Sequence, residues 1–156
     1  MKTIKLRNKD VVPVYNALDK IVVEGHKPRR GKGRLQKALK EKDKEYVEDL
    51  NAIRDDYFQK TEDGNYKQDS QGKVIWIDKY KNDKAAQKKA NEQIQELLDE
   101  EIGIDLVEHE SKIKSFYNAV INDEFKADDE LKDEDFETLI DALEDVYDKE
   151  NIEEEK

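Results

Sequence analysis

The sequence predicts a predominantly α-helical α+β fold: a long helical hairpin with a small β-hairpin at its tip, one short two-stranded pairing, and C-terminal helices. Three observations predict it. Apolar residues recur at threes and fours over most of the chain, the period of a helix with one buried face. The β-prone runs are few and short: "TIKL" (3–6), "KVIWID" (73–78) and "GIDLV" (103–107). Finally, 156 residues with 35% hydrophobic content fill one modest core. The expected organisation is a single domain over 1–148, with a basic loop at 25–34, a β-hairpin at 64–78, an acidic helical part at 108–148 and a frayed or disordered tail at 149–156.

The elements follow in order. Ile4 and Leu6 alternate with polar neighbours in "TIKL", which suits a short half-buried strand. From Asn8, an N-cap candidate, Val11, Tyr15, Leu18 and Val22 share one helical face, Pro13 falls in the first turn, and Gly25 stops the helix. After the basic stretch, Leu35, Leu39, Tyr46, Leu50, Ile53 and Tyr57 trace a helical spine of about 24 residues, with Lys42 at the remaining seam position. That seam packs either within the chain or across a dimer, and Lys42 weakens the dimeric option.

Asp63-Gly64 and Ser70-Gln71-Gly72 are turn signals, so 65–68 is expected to pair with 74–77. Trp76 is then either a core plug beneath that hairpin or a partly exposed anchor for a partner, a role in which Trp is enriched. A second helix places Ala86, Ala90, Ile94, Leu97 and Leu98 on one side, and its small residues allow close packing against the spine. "GIDLV" is extended in character and is expected to pair with "TIKL". Two apolar stripes complete the chain, one through Ile113, Phe116, Tyr117, Val120 and Ile121, the other through Phe136, Leu139, Ile140, Leu143, Val146 and Tyr147.

Charge supplies the functional clues. Charged residues make up 44% of the chain and the formal net charge is −11. Lys and Arg number 14 against 6 Asp and Glu over residues 1–45, 9 against 10 over 46–95, and 6 against 24 over 96–156. This sorting has two readings. Either the basic front and the acidic rear lie against each other, or the acidic face binds a basic protein groove that otherwise holds nucleic acid. On the second reading Asp128, Asp129, Glu130, Asp133, Glu134 and Asp135 are the contacts, with Trp76 as a further partner-binding residue. An acidic protein is a poor direct binder of nucleic acid, whose affinity comes from Lys and Arg neutralising phosphates.

The stretch "GHKPRRGKGRLQ" (25–36) stands out against that background. It is not a phosphate-cradling Walker loop: Gly25 and Gly31 are five residues apart, and Gly33 follows Lys32 where a hydroxyl is needed. Arg29, Arg30, Lys32 and Arg34 either pair with the acidic third or hold an anion at the start of the spine.

Motifs for chemistry are missing. His26 and His109 have no partner in a nucleophile arrangement, "HESK" lacks a second zinc-binding His, and "DDELKDEDFE" lacks the Gly and terminal Glu of a calcium loop. Without Cys there is no disulfide framework and no thiolate. No enzyme activity, cofactor or metal is expected. No window approaches the roughly 18 apolar residues of a membrane span, and "MKTIKLRNKD" lacks a signal peptide's apolar core, so a cytoplasmic protein with no membrane partner is expected.

Taken in order, "MKTIKLRNKDVVPVYNALDKI", "GKGRLQKALKEKDKEYVEDLNAIRDDYF", "DGNYKQDSQGKV" and "IQELLDEEIGIDL" resemble a family of small uncharacterised proteins encoded by phages and prophages of Gram-positive bacteria. The resemblance spans about residues 1–107 and carries over no functional residues. It implies a phage origin, and small phage proteins of this kind commonly act by stoichiometric binding. The leading expectation is therefore a non-catalytic inhibitor or modulator of a host enzyme or defence complex, a nucleic-acid-binding enzyme among the candidates. The alternative is a morphogenesis or virion accessory protein that binds phage structural proteins.

Overall fold

A computed structural model describes residues 2–154, with side chains to Asp148; the expected frayed tail, 149–156, lies outside the residues described in full. Its element order is β1 (Thr3–Arg7), α1 (Asn8–Asp19), β2 (Ile21–Val23), α2 (His26–Tyr57), α3 (Lys84–Asp99), β3 (Glu101–Asp105), α4 (Glu110–Ile121), β4 (Phe125–Ala127) and α5 (Asp133–Glu154). The fold is predominantly helical α+β, with two antiparallel two-stranded sheets among the described residues, β1–β3 and β2–β4. Contacts gather in two compact units, one made of residues up to Asp43 and from Glu101 onward, the other of Lys44–Glu100.

In the first unit "TIKL" pairs with the distant strand as expected, but that strand covers Glu101–Asp105 and not 103–107: Leu106 lies outside it and Val107 opens a short 3-10 turn. Thr3 sits opposite Asp105, and Arg7 opposite Glu101. Ile4, Leu6 and Ile104 are buried from this sheet while Lys5 and Arg7 are exposed, the alternation of a sheet with one solvated face. β1 packs on α1 and α5. The core they share includes Leu18, Ile21, Leu39, Phe116 and Leu143, all with no exposed surface.

Three local expectations are corrected here. Asn8 is not the N-cap of α1; that position is Arg7, which makes no side-chain cap bond, and Asn8 is a buried residue of the helix itself. Pro13 consequently lies one turn further in than the first. The helix does not run through Val22 to Gly25 either. It ends at Asp19, where Lys20 N–H donates to the Ala17 carbonyl (3.1 Å), and Ile21-Val22-Val23 forms β2 against 125–127. Three consecutive β-branched residues prefer the pleated conformation. Ile21 and Val23 enter the core and Val22 is 58% exposed, which breaks the apparent helical stripe. The C-terminal stripes hold with one exception, Ile121, which is exposed.

The largest correction concerns 25–34, which is not a loop. Gly25, at φ +91°, turns the chain so that α2 begins at His26, and Pro28 falls early enough in the helix to be tolerated. Gly31 is buried because α4 passes against it: a Cβ there would lie 2.0 Å from the Lys112 carbonyl oxygen. Glycine reads as a helix breaker, yet here only glycine permits the approach of two backbones.

The second unit contains the latter part of α2, α3 and the segment between them. Asp83 caps α3, its Oδ1 accepting from Ala86 N–H (3.1 Å). The expected hairpin is only partly formed. Gln68 bridges Val74 as anticipated, but Trp76 bridges Phe58 and Tyr66 bridges Lys60. Segments 58–60, 66–68 and 74–76 thus each pair with both of the others. Their middle residues close a ring of hydrogen bonds, Gln59 N–H to Ile75 O (2.8 Å), Ile75 N–H to Lys67 O (3.1 Å) and Lys67 N–H to Gln59 O (2.9 Å). The arrangement follows an eight-residue repeat, with equivalent turns at Gly64 (φ +84°) and Gly72 (φ +80°), where left-handed backbone favours glycine. Tyr57, Phe58 and Ala90 form this unit's core, flanked by Tyr66, Trp76 and Tyr80.

Tyr66 gives this unit a pH signature. Its hydroxyl donates to Asp55 Oδ1 (2.6 Å), and Asp55 also pairs with Lys60 (2.6 Å). Burial, then the Asp55 contact, pushes the Tyr66 phenol from its ordinary 10.0 up to about 12. The Lys60 and Tyr66 hydrogen bonds hold the Asp55 carboxyl below its usual value. A raised phenol pKa contributes stability that is present below about pH 10 and lost as pH rises towards 12. A lowered carboxyl contributes above about pH 4 and is lost in acid. Tyr66→Phe is expected to remove part of the alkaline loss; thermal melts of both proteins between neutral and alkaline pH, followed by Trp76 fluorescence, test it.

Candidate functional site

The acidic surface is built where β4 hands over to α5. Asp128 N–H donates to Lys20 O (2.9 Å), Glu130 N–H to Asp128 Oδ1 (2.8 Å) and Leu131 N–H to Asp128 O (3.0 Å), a tight turn organised by one aspartate. The turn is anchored from below by Leu131 and by Phe125 stacked on Phe136, with ring centroids 5.9 Å apart. Asp133, Glu134 and Asp135 then occupy the first turn of α5, where the helix dipole favours carboxylates. Asp128, Asp129, Glu130, Asp133 and Glu134 are exposed and Asp135 is half-buried. The fold therefore gathers all six predicted acidic contacts on one short stretch. The Lys20–Glu130 contact, at 3.3 Å, is the one ion pair recorded for the six among the described residues, and it raises the Lys20 pKa.

The basic residues take a different place. Lys32 Nζ donates to the Ile21 carbonyl (2.7 Å), so its ammonium satisfies an edge of β2. Arg29 Nε donates to the Gly25 carbonyl (3.2 Å). Arg29, Arg30 and Arg34 are exposed on α2, and none makes an ion pair with the acidic third among the described residues. Ionic contact between front and rear includes Lys2 with Glu110 and Lys20 with Glu130. Trp76 lies in the second unit, half-buried, with its ring 4.6 Å from Phe58 and edge-on to Tyr57 at 6.3 Å.

Sequence reading missed a broad groove of about 900 Å³ in the first unit. Val22 and Lys126, from the solvated face of β2–β4, line it together with Lys27, Ser111, Lys114 and Asn118. Glu24, Asp123 and Glu124 also reach it, so it carries both signs of charge. No local signal marked it, because it depends on the pairing of β2 with a strand about a hundred residues away. His109 ends a short 3-10 turn before α4, its N–H donating to Leu106 O (3.1 Å), and His26 is the exposed first residue of α2. No group of three or more metal-ligating side chains occurs among the described residues, and no helix described is long and apolar enough to cross a membrane.

The chain belongs to a family of proteins of unknown function, DUF1617, whose model matches residues 1–154. No curated protein and no solved structure shows a significant match.

Proposed function

We propose that this protein is a phage-encoded, non-catalytic inhibitor or modulator that docks its acidic 128–135 surface onto a basic patch of a host enzyme or defence complex. The observation that carries this reading is charge left open to a partner. Five of the six carboxylates are exposed on a well-braced turn and the first turn of α5, Lys20 pairs with Glu130 alone of them, and Arg29, Arg30, Lys32 and Arg34 make no ion pair with them among the described residues. A ridge held by Asp128, Leu131 and the Phe125–Phe136 stack offers its carboxylates with little ordering left to lose on binding. Complementary charge of this kind sets association rate and partner choice more than affinity.

The test is a pulldown of tagged protein from Gram-positive host lysate, eluted by stepping salt, beside a variant carrying D128N, D129N, E130Q, D133N, E134Q and D135N. Asn at 128 keeps the side-chain oxygen that the turn uses. The expected result is a stoichiometric host partner that elutes as salt rises, with association about tenfold slower for the variant. No stoichiometric partner at low or moderate salt would sink the proposal. Recovery of phage structural proteins alone, from infected cells, would assign the protein to assembly instead.

A further inference from the structure

Residues 26–40 of α2 contain seven Lys and Arg and no Asp or Glu. Lys32 is held on the Ile21 carbonyl, while Lys27, Arg29, Arg30, Arg34, Lys37 and Lys40 are exposed. None of these six forms an ion pair among the described residues. An acid-free face is unexpected on a helix of a chain with net charge −11, where mixed signs would support the helix through pairs one turn apart.

Gly33 sharpens the point. Counting 3.6 residues per turn, it sits near the middle of this face, one turn after Arg29 and Arg30 and one turn before Lys37. Gly31 is required by the fold, but a Cβ on Gly33 would meet nothing within 4 Å. A glycine in an exposed helix interior costs about 1 kcal/mol relative to alanine. Here the fold gains nothing from it, and its missing side chain leaves the helix backbone bare among the cations. A furrow of about 280 Å³ runs beside it, lined by Val22, Val23, Arg29, Lys32, Gly33 and Gln36.

We propose that this face of α2 is a second docking surface, whose occupant is the phosphodiester backbone of a nucleic acid. Three arginines within six positions supply planar donor forks that match phosphate oxygens. The bare position at Gly33 lets a bulky, continuous backbone lie close against the helix. Net negative charge opposes this only weakly, because at about 0.1 M salt screening confines repulsion to roughly 10 Å and the face itself is of one sign. Overall composition makes an acidic chain a poor direct binder of nucleic acid, and this one basic surface is the local exception proposed. The inference does not depend on what the acidic ridge binds.

Fluorescence anisotropy of the full chain with a labelled DNA duplex of arbitrary sequence tests it, beside a labelled poly-glutamate peptide. With about four phosphate contacts, affinity for the duplex is expected to fall about a hundredfold between roughly 50 and 200 mM salt. R29A/R30A/R34A is expected to lower the salt slope by about 3. Gly33→Gln adds a good helix former, so the fold is kept, yet duplex binding is expected to weaken by about threefold through lost phosphate approach. A thermal melt at least as high as the parent's separates that loss from unfolding. No duplex binding at the lowest salt, or equal or tighter binding of poly-glutamate, overturns the proposal and in the second case makes an acidic protein the partner.

Discussion

Gly31→Ala is expected to destabilise the first unit by about 3 kcal/mol or more, although alanine is the better helix former. In an open helix the exchange would gain about 0.5–1 kcal/mol. At position 31 the new Cβ would lie 2.0 Å from the Lys112 oxygen, 2.5 Å from its carbonyl carbon and 3.0 Å from Ile113 Cα. All three are backbone atoms, so no side-chain rotation relieves the clash; α2 and α4 must separate and loosen the core around Leu35, Ile113 and Phe116. Overpacking a well-packed core costs about 1–3 kcal/mol, and a rigid backbone neighbour places this case at or above the upper end. Gly33→Ala, two residues away with open space around it, is expected to gain up to about 1 kcal/mol. Urea denaturation of both variants by circular dichroism tests the opposite signs; a neutral or stabilising Gly31→Ala would refute the close approach of α2 and α4.

Phe116→Ala is expected to cost about 3–5 kcal/mol. Phe116 has no exposed surface and belongs to the cluster that joins α1, α4, α5 and both sheets. The same cluster holds other large buried side chains such as Leu143 and Tyr147, the latter stacked on Tyr117 with ring centroids 5.3 Å apart, and a densely filled core is poorly placed to collapse around the lost volume. Total stabilities of 5–15 kcal/mol make such a loss a large fraction of the whole. The urea midpoint should fall with little change in slope. A loss below about 1 kcal/mol would mean that this core is not packed as described.

Much of this architecture is legible in the residues. The helical stripes of α2, α3, α4 and α5 follow from spacing alone, and Asp83 marks the start of α3 in the way capping chemistry requires. The β1–β3 pairing is also readable, since both runs alternate and both lie outside the helical patterns. Failures cluster where a distant segment decides the local conformation. Ile21–Val23 has helical spacing, and only the strand at 125–127 makes it extended. Gly31 looks like a breaker until the Lys112 backbone is known to press on it. Trp76 and Tyr66 miss their expected partners because segment 58–60, at the exit of α2, takes both. Of the candidate site, the six acidic positions could be picked out from sequence, since charge on an exposed turn needs no partner to be read. The mixed groove could not, because residues from β2, β4 and α4 line it jointly.

Splitting the first unit around residues 44–100 also has a consequence for how the protein is made. A ribosome delivers the chain from its N-terminus at about 5–20 residues per second, and contiguous segments fold as they emerge. The second unit is contiguous and can close early. β1, however, must wait for β3, and β2 must wait longer still for β4. For several seconds the nascent protein carries two unpaired strand edges and the apolar faces of α1 and early α2, surfaces to which chaperones and like chains adhere. Yield in the cell is thus set by translation speed and chaperone supply as well as by the stability of the finished fold.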